Sequence, residues 1–374
     1  MKKLHETDEL MATLLAVIVT VITILFIANV AKCAPSGLTS FDRIQTNAIN
    51  NKITIVPNNS IDLGTQVNNA VAQLNAMNPN FYGLGTIEIT GPGIYTYTNT
   101  INLGADTMLK CDSGVTLQIN GNTGTNAINI QSSGPESYLT YSGGVENCII
   151  QSITQSTNRA AIEVWGVSGE RIINDTFNNF ELYYNIEFST NGQFQSYNIV
   201  KNCLFYNAWW AVAFDSNGQA EVNDINFTCD NCFGGILFEA PTIADNKFNL
   251  LLSQYQSGRT AVEIGSSVTS FYSNYFSGYQ DEDTTSGSTC FNNLSSTPYN
   301  IFGDFLCGGP NSGPITMIDS KQCTTVAKLP TSTDTPIGSR ACVTDSTTLT
   351  PGTCVGGGTN TTYAIYSGTA WNCM

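Results

Sequence analysis

Basic charge and histidine are what this chain most lacks. Only 14 lysines and arginines stand against 29 aspartates and glutamates, a formal charge of −15, and the basic residues are scattered. A protein that grips a nucleic-acid backbone needs clustered Lys and Arg to displace counterions, so nucleic acid is excluded as a partner. The single histidine, His5, lies ahead of the first hydrophobic run. Cys229-Asp230-Asn231-Cys232 is a lone C-x-x-C with neither histidine nor a second pair, too little for zinc. It reads as a disulfide or a buried thiol. There is no P-loop, no G-x-S-x-G elbow and no dinucleotide fingerprint, so neither a metal nor a cofactor is expected.

Charged residues make up only 11% of the chain, and Asn, Thr, Ser and Gly fill the spaces between short β-branched and aromatic runs. Such runs read as strands. Twelve cysteines and five Asn-x-Ser/Thr sequons, at Asn58, Asn174, Asn226, Asn293 and Asn360, fit an oxidising, extracytoplasmic setting. In so asparagine-rich a chain, sequons also arise by chance. Cys290 and Cys307 are placed to close a 16-residue insertion over 291–306, and Cys342, Cys354 and Cys373 to staple the C-terminal segment.

Leu10 to Ala31 carries no charge over 22 residues, enough at about 1.5 Å per residue to cross roughly 30 Å of hydrocarbon. Asn29-Val30-Ala31-Lys32-Cys33 is a poor cleavage context, which favours an anchor that stays in the membrane through residues 10–31. Lys2 and Lys3 place the N-terminus in the cytoplasm and the body outside it.

Ile61 to Met77 sets Val67, Ala70, Val71 and Leu74 at helical spacing, a helix suited to cover one end of a stack. Gly85-Thr86-Ile87-Glu88-Ile89 and Gly93-Ile94-Tyr95 follow as two short strands broken at Pro92 and Gly93. Five later segments share an apolar-x-apolar core: Ile162-Glu163-Val164, Ile186-Glu187-Phe188, Val212-Ala213-Phe214, Ile236-Leu237-Phe238 and Val262-Glu263-Ile264. Their steps of 24, 26, 24 and 26 residues suit one coil each of a three-sided parallel β-helix. Asn174-Asp175-Thr176-Phe177, Asn202-Cys203-Leu204-Phe205 and Asn231-Cys232-Phe233 look like rungs of a second face with stacked asparagines at the turns.

The order of amphipathic helix, Gly-Thr-Ile-x-Ile and Gly-x-Tyr resembles the start of the pectate-lyase-like superfamily, including proteins related to glycoside hydrolase family 28, over roughly residues 61–300. The resemblance implies a right-handed parallel β-helix whose surface meets carbohydrate. It does not carry an activity. Asn-Thr-Asp is missing and the sole histidine is His5, so ordinary polygalacturonase chemistry is not expected. From Leu329 onward, Leu329-Pro330, Gly338-Ser339-Arg340, Val343-Thr344-Asp345, Gly356-Gly357-Gly358 and Tyr366 to Trp371 follow an order that resembles a small C-terminal module of phage and prophage tail-associated proteins. That resemblance implies a spike-like or fibre-like setting and, with it, a homotrimer.

The fold class expected is all-β: a right-handed parallel β-helix with an N-terminal capping helix, an N-terminal transmembrane helix and a small C-terminal β module. The divisions are a cytoplasmic tail and anchor over 1–34, a linker over 35–60, the β-helix over 61–310, a second linker over 311–328 and the module over 329–374. The expected localisation is single-pass membrane-anchored with an extracytoplasmic C-terminal body, or a virion surface.

With the apolar positions of the five strands pointing in, the outward columns can be read directly. Three residues before each inward position lie Arg159, Tyr183, Trp209, Phe233 and Arg259, and one before lie Ala161, Asn185, Ala211, Gly235 and Ala261. One after come Glu163, Glu187, Ala213, Leu237 and Glu263, and three after come Trp165, Ser189, Asp215, Glu239 and Gly265. A row of Arg and aromatics, a low track of small residues and a band of carboxylates side by side is a layout for a sugar polymer. Aromatic faces stack on pyranose rings, Arg forks a uronate carboxylate, and carboxylates supply acid–base chemistry.

Substrate binding therefore falls to Arg159, Tyr183, Trp209, Trp165, Glu163 and Arg259, and catalysis, if there is any, to Asp215 with Glu239 or Glu187. The expected function is a glycan-binding β-helix of spike, fibre or adhesin type, with a polysaccharide or surface glycan as partner. The alternatives are a polysaccharide depolymerase, hydrolase rather than lyase because Arg159 and Arg259 lie away from the central acids, and a purely structural envelope or virion protein.

Overall fold

The computed structural model describes residues 51–373 apart from 59, 78–83, 121–125, 132–142, 154–159, 179, 181–183, 190–193, 216–217, 254–257, 281–287, 308–309, 319–324, 330–339, 348–351 and 368. All of the described residues belong to one compact unit, Ala48–Met374.

After a strand at Lys52–Ile55, the helix α1 runs over Leu63–Met77. Asp62 starts it. Its Oδ1 accepts the Thr65 amide at 3.0 Å, and its Oδ2 accepts the amide and hydroxyl of Thr98 at 2.6 and 3.1 Å. One carboxylate thus caps the helix and ties it to the first coil. Burial acts to raise the Asp62 pKa, but the bonds from Thr98, Thr65 and Asn99 outweigh it and hold the carboxyl below its usual value. Val67, Ala70, Val71 and Leu74 are buried, as their spacing requires. Asn68 then stands in for a strand partner: its Oδ1 accepts the Asn102 amide at 2.7 Å and its Nδ2 donates to the Thr100 carbonyl at 2.9 Å. The open edge of the strand Ile101–Gly104 is thereby covered.

Beyond this cap the chain winds into a parallel β-helix of the right-handed type. One side is an eight-stranded sheet, stacked in chain order: Ile101–Gly104, Ile128–Gln131, Ala160–Trp165, Tyr184–Ser189, Trp210–Phe214, Gly234–Phe238, Thr260–Ile264 and Thr289–Asn293. Ile162, Ile186, Val212, Ile236 and Val262 are register partners in adjacent coils, as the near-constant step demands. A fifteen-stranded sheet forms the second side and a four-stranded sheet the third. Inside, three successive coils each contribute a ring to one apolar column: Phe188, Phe214 and Phe238 stack at 5.0 and 5.5 Å.

Two asparagine ladders hold the corners. Asn147, Asn174 and Asn202 adopt φ of 63, 59 and 54°, left-handed values that asparagine tolerates. Asn174 Nδ2 donates to Asn147 Oδ1 and Asn202 Nδ2 to Asn174 Oδ1, both at 3.1 Å. Asn231 also stacks on an asparagine, but in another column: its Nδ2 donates to Asn207 at 2.6 Å. The reason is a register shift between Val200 and Cys203: there the two short strands of earlier coils merge into one long strand, and the turn that carried the first ladder disappears.

The other ladder is buried. The amides of Asn198, Asn223 and Asn246 donate to the side-chain oxygens of Asn223, Asn246 and Asn274 at 2.9, 2.9 and 3.2 Å. Each Nδ2 of Asn223, Asn246 and Asn274 donates to a backbone carbonyl, of Gln195, Ala220 and Ile243.

The C-terminal module is antiparallel, built from Arg340–Ser346, Gly352–Thr353, Asn360–Tyr366 and Trp371–Cys373. Its Leu329, Val343, Tyr366 and Trp371 bury together with Phe302 of the β-helix. Cys354 pairs with Cys373, Cys342 is also disulfide-bonded, and Cys229 pairs with Cys232. Cys290 pairs with Cys307 as anticipated, but the residues between are no insertion: they hold Tyr299–Leu306, a strand of the fifteen-stranded sheet. A further disulfide, Cys111–Cys148, joins consecutive coils.

The transmembrane helix of the expected fold class is corrected. No helix among the described residues is long and apolar enough to cross a membrane. The longest of them, α1, has 15 residues, about 22 Å against a hydrocarbon core of about 30 Å. The run over residues 10–31 lies outside the described residues. The expected single-pass membrane-anchored localisation is corrected with it, and the virion surface has no support in the structure.

Candidate functional site

The outer surface of the eight-stranded sheet is where the sequence places its candidate residues, and their columns differ in what they can offer. Glu163, Glu187, Ala213, Leu237 and Glu263 are register partners, one per coil. Ala213 and Leu237 cluster with Trp210 apart from the main core, with Tyr184 and Trp209 packed against them. Glu187 is wholly buried. Glu163 is held on both oxygens: Ser189 Oγ donates to Oε1 at 2.8 Å, and Asn126 Nδ2 donates to Oε2. Asn292 Nδ2 holds Glu263 Oε2 at 3.0 Å.

The track of small residues is corrected. Ala161, Ala211 and Ala261 belong to the interior cluster, and a Cβ on Gly235 would meet the buried Leu252 side chain at 3.2 Å. Two successive residues at the start of each strand face the core, so strict alternation fails by one place. Trp210 is turned outward instead, and its ring lies where a Cβ on Gly234 would sit, 2.1 Å away. Sequence reasoning passed over Trp210. The Trp209-Trp210 doublet carried the signal, because one strand position on the core side cannot hold two adjacent indoles.

At the leading edge of the sheet, Trp209 and Phe233 stack with centroids 3.6 Å apart and planes 20° from parallel. The Arg259 guanidinium carbon lies 3.0 Å from the Phe233 centroid and 5.8 Å from that of Trp209. The guanidinium is farther from Trp209 than either group is from Phe233, so the two lie on opposite faces of Phe233 and cover both. Arg159 and Tyr183, expected in this column, lie outside the described residues.

The trailing edge is different. Trp165 and Ser189 are register partners, and the amides of Asp215, Glu239 and Gly265 donate to the carbonyls of Phe188, Phe214 and Phe238 at 3.0, 2.8 and 2.7 Å. The coil spacing of about 4.8 Å therefore continues past the strand ends. Trp165 is 41% exposed. Burial, then the carboxylates of Asp215 and Glu263, hold the Glu239 carboxyl above its ordinary range. Gly265 leaves room for it: a Cβ there would lie 3.2 Å from Glu239 Cγ. A raised carboxyl beside a second acid is an arrangement capable of proton transfer. Among the described residues, no group of three or more His, Cys, Asp or Glu is arranged to hold a metal ion.

No protein-family model matches the chain, and no curated protein matches it. Of the resemblances drawn from its motifs, the parallel β-helix is present in the fold, while membership of the pectate-lyase-like, family 28 or phage-tail groups has no support from relatives.

Proposed function

We propose that the trailing edge of the eight-stranded sheet is a glycan-binding ridge. The observation that supports it is the column in which the exposed Trp165 shares one line with Asp215 and Glu239, one residue per coil. From Trp165 to Glu239 is three coils, about 14 Å, so an extended sugar chain laid along the axis reaches both. The indole packs on the apolar face of a ring, and the carboxylates accept hydrogen bonds from sugar hydroxyls. Parallel β-helices are compatible with glycan binding, with depolymerisation and with structural roles, and this column favours the first.

A second reading, hydrolysis, is favoured by one observation alone: Glu239 holds its proton more firmly than an ordinary glutamate, next to Asp215. That division of roles suits an acid and its partner carboxylate.

A glycan array scored for both retention and chain shortening tests both readings. Wild type should bind at least one polysaccharide, Trp165→Ala should weaken it about tenfold, and Asp215→Asn and Glu239→Gln should keep most of the affinity. Unchanged binding by Trp165→Ala would sink the ridge. Shortening by wild type that either amide stops would move the assignment to hydrolase.

A further inference from the structure

The five sequons stand in unequal surroundings. Asn293 is buried and its Nδ2 donates to the carbonyls of Thr297 and Pro314 at 2.9 and 3.1 Å. Asn174 lies within the exposed ladder, its Nδ2 committed to Asn147 and its Oδ1 to Asn202. A sugar replaces one of the two hydrogens on that nitrogen, so it would break one of the two Asn293 bonds, and at Asn174 it would crowd the rung to Asn147. Asn226 and Asn360 are half-buried within strands of their sheets.

Asn58 alone combines exposure with an uncommitted nitrogen. Its Oδ1 accepts the Ser60 amide at 2.9 Å, a turn that fixes the carboxamide by its oxygen. Gln66 of α1 clamps the backbone from both sides, accepting the Asn58 amide and donating to its carbonyl, each at 3.1 Å. None of these bonds uses Nδ2.

Beside it, between the start of α1 and the first coil, lies a cavity of about 360 Å³ lined by Asn58, Ser60, Ile61, Gln66, Ile94 and Tyr95 among others. Ile61 and Ile94 are 48% and 64% exposed and form an apolar lip. Polar groups on one wall and aliphatic ones at the rim suit a sugar ring, which presents hydroxyls at its edge and C–H groups on its face.

We propose that Asn58 is an N-glycan acceptor whose first N-acetylhexosamine seats in this cavity. In the transfer, Nδ2 loses one proton and bonds to the anomeric carbon of a lipid-linked oligosaccharide, and the lipid pyrophosphate leaves; no oxidant or reductant takes part. The disulfides Cys111–Cys148 and Cys290–Cys307 require oxidising conditions of the kind found where such transfer occurs.

The test expresses the full chain behind a cleavable secretory leader in a eukaryotic host that glycosylates a control protein. Occupancy is mapped by mass spectrometry, and the glycan is then trimmed by an endoglycosidase that leaves a single sugar. Asn58 should be occupied and Asn174 and Asn293 empty in the folded protein. Asn58→Gln and Ser60→Ala should each abolish the Asn58 glycan, and the single-sugar form should melt about 1–3 °C above both variants. An empty Asn58 overturns the acceptor. An occupied Asn58 whose trimmed form melts no higher than the variants overturns the seat.

Discussion

The two edges of the eight-stranded sheet repeat with the same spacing and carry similar chemistry, yet one is closed and the other open. Trp209, Phe233 and Arg259 are consecutive flat groups, and at one coil per step they cover one another. Trp165 is followed by Ser189, whose hydroxyl is turned to Glu163, so the indole has no flat neighbour on the next coil. Availability to a ligand is decided by what occupies the next coil of the same column, not by the residue itself. Stacking between neighbours satisfies a ring, and a serine leaves it unsatisfied.

The largest effect comes from disturbing the spacing beneath both edges. Asn223→Ala deprives the Asn198 amide and the Gln195 carbonyl of their buried partners, at about 1–3 kcal/mol for each group. A loss of about 2–4 kcal/mol in urea denaturation is expected, and a loss under 1 kcal/mol would mean that the coils are not registered by this ladder.

Next, the edges should respond oppositely to loss of an indole. Trp209→Ala should cost about 2 kcal/mol of stability, below the roughly 3–5 kcal/mol for a fully buried aromatic because the ring is half-buried, while glycan affinity stays near wild type. Trp165→Ala should change stability by less than about 0.5 kcal/mol and weaken glycan affinity about tenfold. Calorimetric melting and a retention assay on the same two variants read both quantities. The same pattern at both edges would erase the contrast between them.

A pH profile separates the buried acid from the half-exposed one. Burial pushes the Asp175 carboxyl well up, against the lowering effect of hydrogen bonds from the Cys148 and Ile173 amides, and Glu146 adds to the rise. A carboxyl raised in the folded state contributes most below its unfolded value of about 3.9, and that contribution is lost as pH rises through the folded value. Asp175→Asn should therefore flatten the fall in stability from about pH 4 upward. Glu239→Gln should act in the same direction and more weakly, because solvent screens the half-exposed Glu239. A steeper profile in either variant contradicts the assigned shifts.

Much of this was legible in the chain. The five apolar-x-apolar cores gave the coil length, and because a strand alternates with period two, they also gave the register of Glu163 with Glu187 and of Trp165 with Ser189. The helical spacing of Val67 to Leu74 marked the cap. Ala161 and Gly235 were misplaced because alternation was carried one residue too far, into a stretch where two neighbours face inward. The stack at Trp209 could be foreseen as a column but not as a sandwich, since spacing says nothing of how rings turn. The register of the Asn231 segment could not be assigned because the merging of two strands at Asn202 leaves no local signal; asparagine serves equally at either corner.

A stack of coils is a one-dimensional object, and it unzips from its ends. Cys111–Cys148 pins the zipper near one end and Cys290–Cys307 near the other, while Cys229–Cys232, in the middle, closes only a short loop of a single coil. The protein's endurance would then be a matter of rate: how often a pinned end loosens, rather than how much free energy the whole fold holds. Reductant would unfasten it at both ends while the amides around Asn223 remained the last to exchange with solvent.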